Sequence, residues 1–120
     1  MSHIFIDDER LPPEGKNWIV LRSSKSSIDW MEENGCPDFI SFDHDLGGDD
    51  TARIDVSWLI EKDLDIPGFI GEHFSFYVHS QNPVGAKYIE DTLNGYMQYR
   101  QREREEEHKI KLSNLAKPSH

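Results

Sequence analysis

The chain has 120 residues, enough for one domain with a single hydrophobic core. Its net charge of −10 arises in residues 1–72, which hold 17 acidic and 6 basic residues, and this balance disfavours double-stranded nucleic acid as a partner and suits a site that gathers cations. We expect a cytoplasmic protein that does not contact a membrane. The sequence has one cysteine, no apolar run near the roughly 18 residues that a membrane span needs, and no recognisable signal peptide.

The first part of the chain predicts two short strands and then a helix. His3–Ile6 and Trp18–Leu21 are apolar, and the two prolines at positions 12 and 13 prevent a helix directly after the first of them. Residues 23–35 predict a helix with a serine as N-cap and a glycine at its end. We therefore expect little ordered helix between the first two strands.

Residues 38–42 predict a third strand, because a short apolar run bounded by turn signals is typical of a strand buried on both faces. This run leads directly into Asp43, His44 and Asp45. Ionised groups at the end of a buried strand need water, a partner or a metal. Because ligands of open α/β sheets bind at the carboxyl ends of the strands, we expect this strand to deliver carboxylates into a site.

The remaining elements follow the same alternation. Asp50 or Thr51 is expected to cap a second helix that ends before Pro67, and residues 74–78 predict a fourth strand. Asn82 is expected to cap a third helix that begins with proline. Helices between strands imply right-handed crossovers, so the order predicts a mainly parallel sheet.

The C-terminal part is highly charged, and we divide the chain into a domain at residues 1–98 and a helical extension or tail at residues 99–120. The Asn-Gly pair at positions 94 and 95 predicts a kink or a break in the third helix. An alternative for residues 109–112 is a short edge strand. We also expect that the extension could contact a second copy or a protein partner.

Three predicted strands end in polar clusters, at residues 7–10, 43–45 and 79–82. The ends of parallel strands share one edge, and neighbours lie about 5 Å apart. Carboxylates this close repel each other unless a divalent cation holds them, and the expected ligands are Asp7, Asp8 and Asp43. Oxygen ligands favour Mg²⁺, whereas coordination by a histidine would favour Mn²⁺, Fe²⁺ or Zn²⁺.

Each cluster also has a simpler interpretation when it is taken alone. Residues 7–9 could form a solvated turn, His44 could face solvent, His79 could be a core histidine, and Asn82 could serve only as a helix cap. Independent solvated turns should not all fall at carboxyl ends of strands, and this coincidence favours a shared site.

An acid pair after strand one, an Asp after strand three and a Ser after strand four resemble the layout of receiver domains of two-component signalling. The resemblance implies that Asp7 and Asp8 bind Mg²⁺, Asp43 accepts a phosphoryl group and Ser80 senses it. It also implies a small α/β, flavodoxin-like, three-layer fold with a mainly parallel sheet of four to five strands. The last strand-helix unit and its lysine have no counterpart, so that unit is missing or modified.

Five segments resemble a narrower family, the cyclic-phosphate processing receiver-like domain of bacteria and their phages. They are the DDERLP string at residues 7–12, residues 18–22, ISFDHDLG at 40–47, the Trp-Leu pair at 58–59 and HSQNPVG at 79–85. The resemblance implies a bacterial protein, or a phage protein that acts in the host cytoplasm.

The implied function is metal-dependent phosphoesterase activity on a cyclic phosphate, in an RNA 2′,3′-cyclic end or a cyclic nucleotide. The candidate catalytic residues are His44, His79, Asp43 and Asp45. The candidate phosphate-binding residues are Arg10, Arg22, Ser80, Asn82 and Gly85. Two alternatives stay open: a non-catalytic module that binds a nucleotide or a partner protein, and a phosphoacceptor switch at Asp43, which the missing lysine disfavours.

Overall fold

A parallel sheet forms the centre of the computed structural model, which describes residues 2–116. Within this range the sheet has four strands, β1 (His3–Ile6), β2 (Trp18–Leu21), β3 (Phe39–Phe42) and β4 (Ser75–Val78). Their spatial order is β2-β1-β3-β4, and every pairing is parallel. Ile6 lies level with Leu21 and Phe42, and Phe42 lies level with Val78, so all four carboxyl ends meet at one edge.

Three helices follow the strands in this part of the chain: α1 (Ser24–Asn34), α2 (Arg53–Asp65) and α3 (Pro83–Ala116). The predicted caps of two helices are confirmed. Ser23 caps α1 in a capping box with Ser26, and the Oδ1 atom of Asn82 accepts the Gly85 amide at the start of α3.

The prediction that Asp50 or Thr51 caps α2 is wrong. The N-cap is Ala52, and its position carries no side-chain hydrogen bond. The Asp50 carboxylate instead accepts hydrogen bonds from the amide and the hydroxyl of Ser24, because the tertiary fold brings α1 beside this loop.

The hydrophobic core lies between one face of the sheet and the three helices. Alternate strand residues point into it, among them Ile4, Ile6, Ile40, Phe42 and Val78. The helices contribute Met31 from α1, Val56 and Leu59 from α2, and Ile89 and Leu93 from α3. The predicted α/β class and parallel four-stranded sheet are therefore confirmed.

The opposite face of the sheet carries no helix of residues 2–116, so sheet and helices form two layers, which differs from the three expected. The right-handed crossovers from β2 to β3 and from β3 to β4 place their helices on the same face. A helix between β1 and β2 would cover the other face, and the Leu-Pro-Pro segment keeps that connection irregular.

The helix α3 is continuous from Pro83 to Ala116, so the expected break at residues 94–95 and the alternative strand at residues 109–112 are not present. Residues 101–114 are all exposed. The last residues of the predicted tail, 117–120, lie outside the described chain. No helix within residues 2–116 combines the length and the apolar composition that crossing a bilayer requires.

Asp55 is a buried acid between α1 and α2. The Ser27 hydroxyl donates its hydrogen to the carbonyl of Ser24 at 2.8 Å and also contacts Oδ1 of Asp55, while Oδ2 of Asp55 has no partner among the described residues. Burial raises the pKa of this carboxyl group to about 8, so Asp55 is protonated at neutral pH.

We expect Asp55→Asn to remove a pH dependence of stability. The unfolded Asp55 loses its proton near pH 4, whereas the folded one keeps it to about pH 8. The free energy of unfolding of the wild type should therefore fall by up to about 1.4 kcal/mol per pH unit across this window. Urea denaturation from pH 5 to 8 should show a flatter profile for Asp55→Asn, while the exposed control Asp65→Asn should follow the wild type; equal slopes would contradict a protonated Asp55.

Candidate functional site

The structure brings Asp7, Asp43 and His79 together at the carboxyl edge of the sheet. One ligand atom of each lies within 4.8 Å of those of the other two. These residues directly follow β1, β3 and β4, three neighbouring strands whose ends are level. The parallel register therefore creates this cluster from positions up to 72 residues apart.

Asp7 is fully buried and held by its own loop. Its Oδ1 atom accepts the amides of Glu9 and Arg10, both at 2.9 Å, and its Oδ2 atom lies 3.0 Å from Nε2 of His79. Burial raises the pKa of this carboxyl, but the two amides and the imidazole outweigh it, and the pKa lies below its ordinary value. Asp7 is therefore an ionised carboxylate.

Asp43 has the opposite shift. Burial and the negative charge of Asp7 raise the pKa of its carboxyl, and the imidazole of His79 and the hydroxyl of Ser80 offset this only in part. Two carboxyl groups thus crowd one another beside an imidazole, which is a situation that a cation would relieve.

His79 is fixed by three contacts on the sheet face opposite the helices. Its Nδ1 atom lies 2.7 Å from the hydroxyl oxygen of Ser41, Nε2 faces Asp7, and the ring stacks on Phe5 with centroids 4.5 Å apart. The order Ser41, His79, Asp7 is that of a hydrolase triad, but Ser41 is only 5% exposed. The hydroxyl of Ser41 therefore orients the imidazole and is not a nucleophile.

The contacts of Phe5 and Ser41 with His79 are absent from the expectations based on sequence. The available signal was the period of two along a strand, since Phe5 and Asp7, and likewise Ser41 and Asp43, share one face. A serine inside an otherwise apolar strand at that period indicates a polar partner on the same face.

His44 does not join this cluster. Its ring is buried, its Nε2 atom accepts the Nε hydrogen of Arg53 at 3.0 Å, and its Nδ1 atom lies 2.9 Å from Oδ1 of Asp45. Because the guanidinium can only donate, Nδ1 carries the hydrogen and donates it to Asp45. Adjacent residues of an extended segment point to opposite sides, and this separates His44 from Asp43.

An open pocket of about 420 Å³ lies above the cluster. Its acidic lining residues are Asp7, Asp8, Glu9, Asp43 and Asp45. Arg10 is the one basic residue that residues 2–116 contribute to that lining. An anion would be repelled by this set of charges unless a cation were bound with it.

Three of the five candidate phosphate-binding residues line the pocket: Arg10, Ser80 and Asn82. Arg22 and Gly85 do not. The Nη1 atom of Arg22 donates to the carbonyl oxygens of Asp7 at 3.0 Å and Arg10 at 2.7 Å, so it braces the loop after β1. The amide of Gly85 is used by the helix cap.

Asp45 lies at the mouth of the pocket with most of its side chain exposed. The hydrogen bond from His44 lowers the pKa of its carboxyl, and Asn82 adds a second donor at 3.3 Å. Asp45 is therefore an ionised, oriented hydrogen-bond acceptor.

A parallel α/β fold with an acidic pocket at its carboxyl edge is consistent with a small receiver-like protein. The chain belongs to the family described as the cyclic-phosphate processing receiver domain, which it matches over residues 2–95. No curated protein and no solved structure matches the chain. The family match confirms the resemblance stated above and ends within α3, so the outer part of that helix lies beyond it.

Proposed function

We propose that the pocket performs metal-dependent processing of a cyclic phosphate, either an RNA 2′,3′-cyclic phosphate end or a cyclic nucleotide. The family supplies the link to cyclic phosphates. The observation that carries the proposal is the meeting of Asp7, Asp43 and His79 within 4.8 Å below an acidic pocket.

The donor set fits a hard divalent cation. Asp7 and Asp43 would hold it, with Asp8 from the pocket wall, because both nitrogens of His79 already have hydrogen-bond partners. Carboxylate oxygens suit Mg²⁺, and a shift of His79 to the ion would suit Mn²⁺. Such an ion would neutralise the acids and would polarise a phosphoryl oxygen.

The residues of the chain have separate parts in hydrolysis. Arg10 binds a phosphoryl oxygen, and Asp45 accepts a hydrogen bond from a substrate hydroxyl or a water. The water oxygen forms a bond to phosphorus and gives up a proton, one ring P–O bond breaks, and the released sugar oxygen takes up a proton. His79 is the proton-transfer group, since an imidazole can both give and take a proton and this one lies beside Asp7 and Asp43. His44 positions Asp45 through the Nδ1 hydrogen bond.

Purified protein with Mg²⁺ should convert 2′,3′-cyclic AMP to a phosphomonoester, as followed by ³¹P NMR. EDTA and Asp43→Asn should stop the reaction, and His79→Ala should lower kcat by about 100-fold or more. The exposed loop variant Asp49→Asn, which changes one carboxylate outside the pocket lining, should keep full activity. Absence of turnover with 2′,3′- and 3′,5′-cyclic nucleotides and a cyclic-ended RNA would reject the proposal.

A binding module without chemistry is the second candidate. Its supporting observation is that all four ring nitrogens of His44 and His79 have hydrogen-bond partners. Calorimetric binding of a cyclic nucleotide that is recovered unchanged, and that Asp43→Asn weakens, would favour this candidate over the enzyme.

A further inference from the structure

The outer edge of β4 has free backbone groups. The amides of Ser75 and His79 donate to β3, so the backbone groups of Phe76 and Val78 point away from it. β4 is the last strand of the sheet in the described chain, and no described residue hydrogen bonds to these two on their outer side. Two N–H and two C=O groups therefore point outward at this edge, where Phe76 is half-buried and Val78 is 9% exposed.

A groove runs between this edge and α3. It has a volume of about 440 Å³, and its apolar lining includes Phe74, Phe76 and Met97. On the other face of the sheet Tyr77 is 61% exposed at the middle of the strand. The segment 74–78 contains no charged residue and no proline, the usual protections of an edge strand.

The side of α3 next to the groove is depleted of charge. Asn94, Met97, Gln98 and Gln101 follow one another along it, although α3 is rich in charged residues elsewhere. Most charges beside them are paired: Arg104 lies 3.7 Å from Glu72, and Arg100 is bound to the buried Asp63, so that Glu90 is the charge left over among these residues. On a chain of net charge −10, this weakly charged region is where a second copy can approach with little repulsion.

We propose that β4 pairs with β4 of a second copy across a two-fold axis, giving a homodimer with a continuous eight-stranded sheet. In antiparallel pairing centred on Tyr77, Phe76 lies opposite Val78 of the second copy. By the two-fold symmetry, Val78 lies opposite Phe76 of the second copy. Each such pair exchanges two hydrogen bonds, so all of the free groups at both edges are used.

The symmetry also places the side chains. The two Tyr77 rings meet as a non-hydrogen-bonded pair on the face without helices, where side chains approach most closely. Phe76 and Val78 of both copies lie on the helical face, below the uncharged sides of the two α3 helices. An isologous interface of this kind closes on itself and leaves no edge for further growth at β4.

The test is the mass in solution, measured by size-exclusion chromatography with light scattering. The wild type should have twice the chain mass of 14.0 kDa, and both Tyr77→Asp and Tyr77→Lys should have the mass of one chain, because like charges then face each other at the axis. An equimolar mixture of the two variants should return to the double mass, since opposite charges then meet. Circular dichroism should confirm that the variants are folded, as expected for an exposed side chain.

The control Leu64→Asp places the same charge on an exposed apolar residue of α2 that does not line the groove, and it should remain a dimer. A wild type that is still monomeric at a concentration on the order of 100 µM would overturn the proposal. The edge of β4 would then be a candidate binding site for another protein. A dimer that survives Tyr77→Asp, or variants that stay monomeric when mixed, would equally overturn the proposal.

Discussion

Replacing Gly85 with alanine is expected to lower the free energy of unfolding by about 1–3 kcal/mol. A Cβ atom at this position would lie 2.3 Å from Cγ of His44, closer than any packed contact allows. The buried ring cannot yield easily, because Arg53 and Asp45 hold its two nitrogens. The substitution should therefore displace His44 and weaken its hydrogen bond to Asp45.

Gly95→Ala is the matched control in the same helix, because a Cβ atom there has no neighbour within 4 Å. This variant should gain about 0.5–1 kcal/mol from helix propensity. Urea denaturation gives both stabilities, and NMR titration should show the pKa of Asp45 rising toward its ordinary value only in Gly85→Ala. Equal responses of the two glycines would show that His44 does not pack against α3.

Arg100→Met is expected to destabilise the fold by about 3 kcal/mol or more, because it leaves a buried carboxylate with one partner fewer. The Nη1 atom of Arg100 donates to Oδ1 of Asp63 at 3.2 Å and to the carbonyl of Ile70 at 2.6 Å, and both ionic side chains are largely buried. This pair joins α3 to α2. The exposed control Arg102→Met should stay within about 0.5 kcal/mol of the wild type.

The effect of Arg100→Met should depend on pH. Burial raises the pKa of Asp63, but the Tyr96 hydroxyl, the Ile70 amide and Arg100 outweigh it, so the folded pKa lies below the unfolded value. The stability contributed by this carboxylate is present above about pH 4 and is lost as the pH falls through the folded pKa. The difference between Arg100→Met and wild type should therefore shrink on acidification, and a constant difference would argue against an ionised Asp63.

The acidic site was predictable from the sequence only in part. Asp7 and Asp43 could be expected in one place, because both end parallel strands and the register of such strands is regular. His44 and His79 could not be told apart from sequence, since each stands beside an acid or a serine at a strand end. Their distant partners separate them: Arg53 and Gly85 hold His44 outside the pocket, and Phe5 and Ser41 hold His79 in the cluster.

Arg22 and Asp55 are polar residues with structural roles that the sequence did not reveal. An arginine after a strand suggested a phosphate ligand, yet its guanidinium lies on the carbonyls of the loop after β1. Nothing in the helical pattern of α2 indicated that Asp55 is buried against Ser27 of α1. Both outcomes depend on which elements become neighbours.

By itself the sequence determined the strands, the starts of the helices with two of their caps, and the parallel direction of the strands, because apolar periodicity, capping side chains and prolines act within a few residues. Only the tertiary structure decided which histidine reaches the acids, and that within residues 2–116 one face of the sheet has no helix and the outer edge of β4 has no partner strand. These features depend on contacts between residues far apart in the chain, and a sequence pattern carries no distance between them.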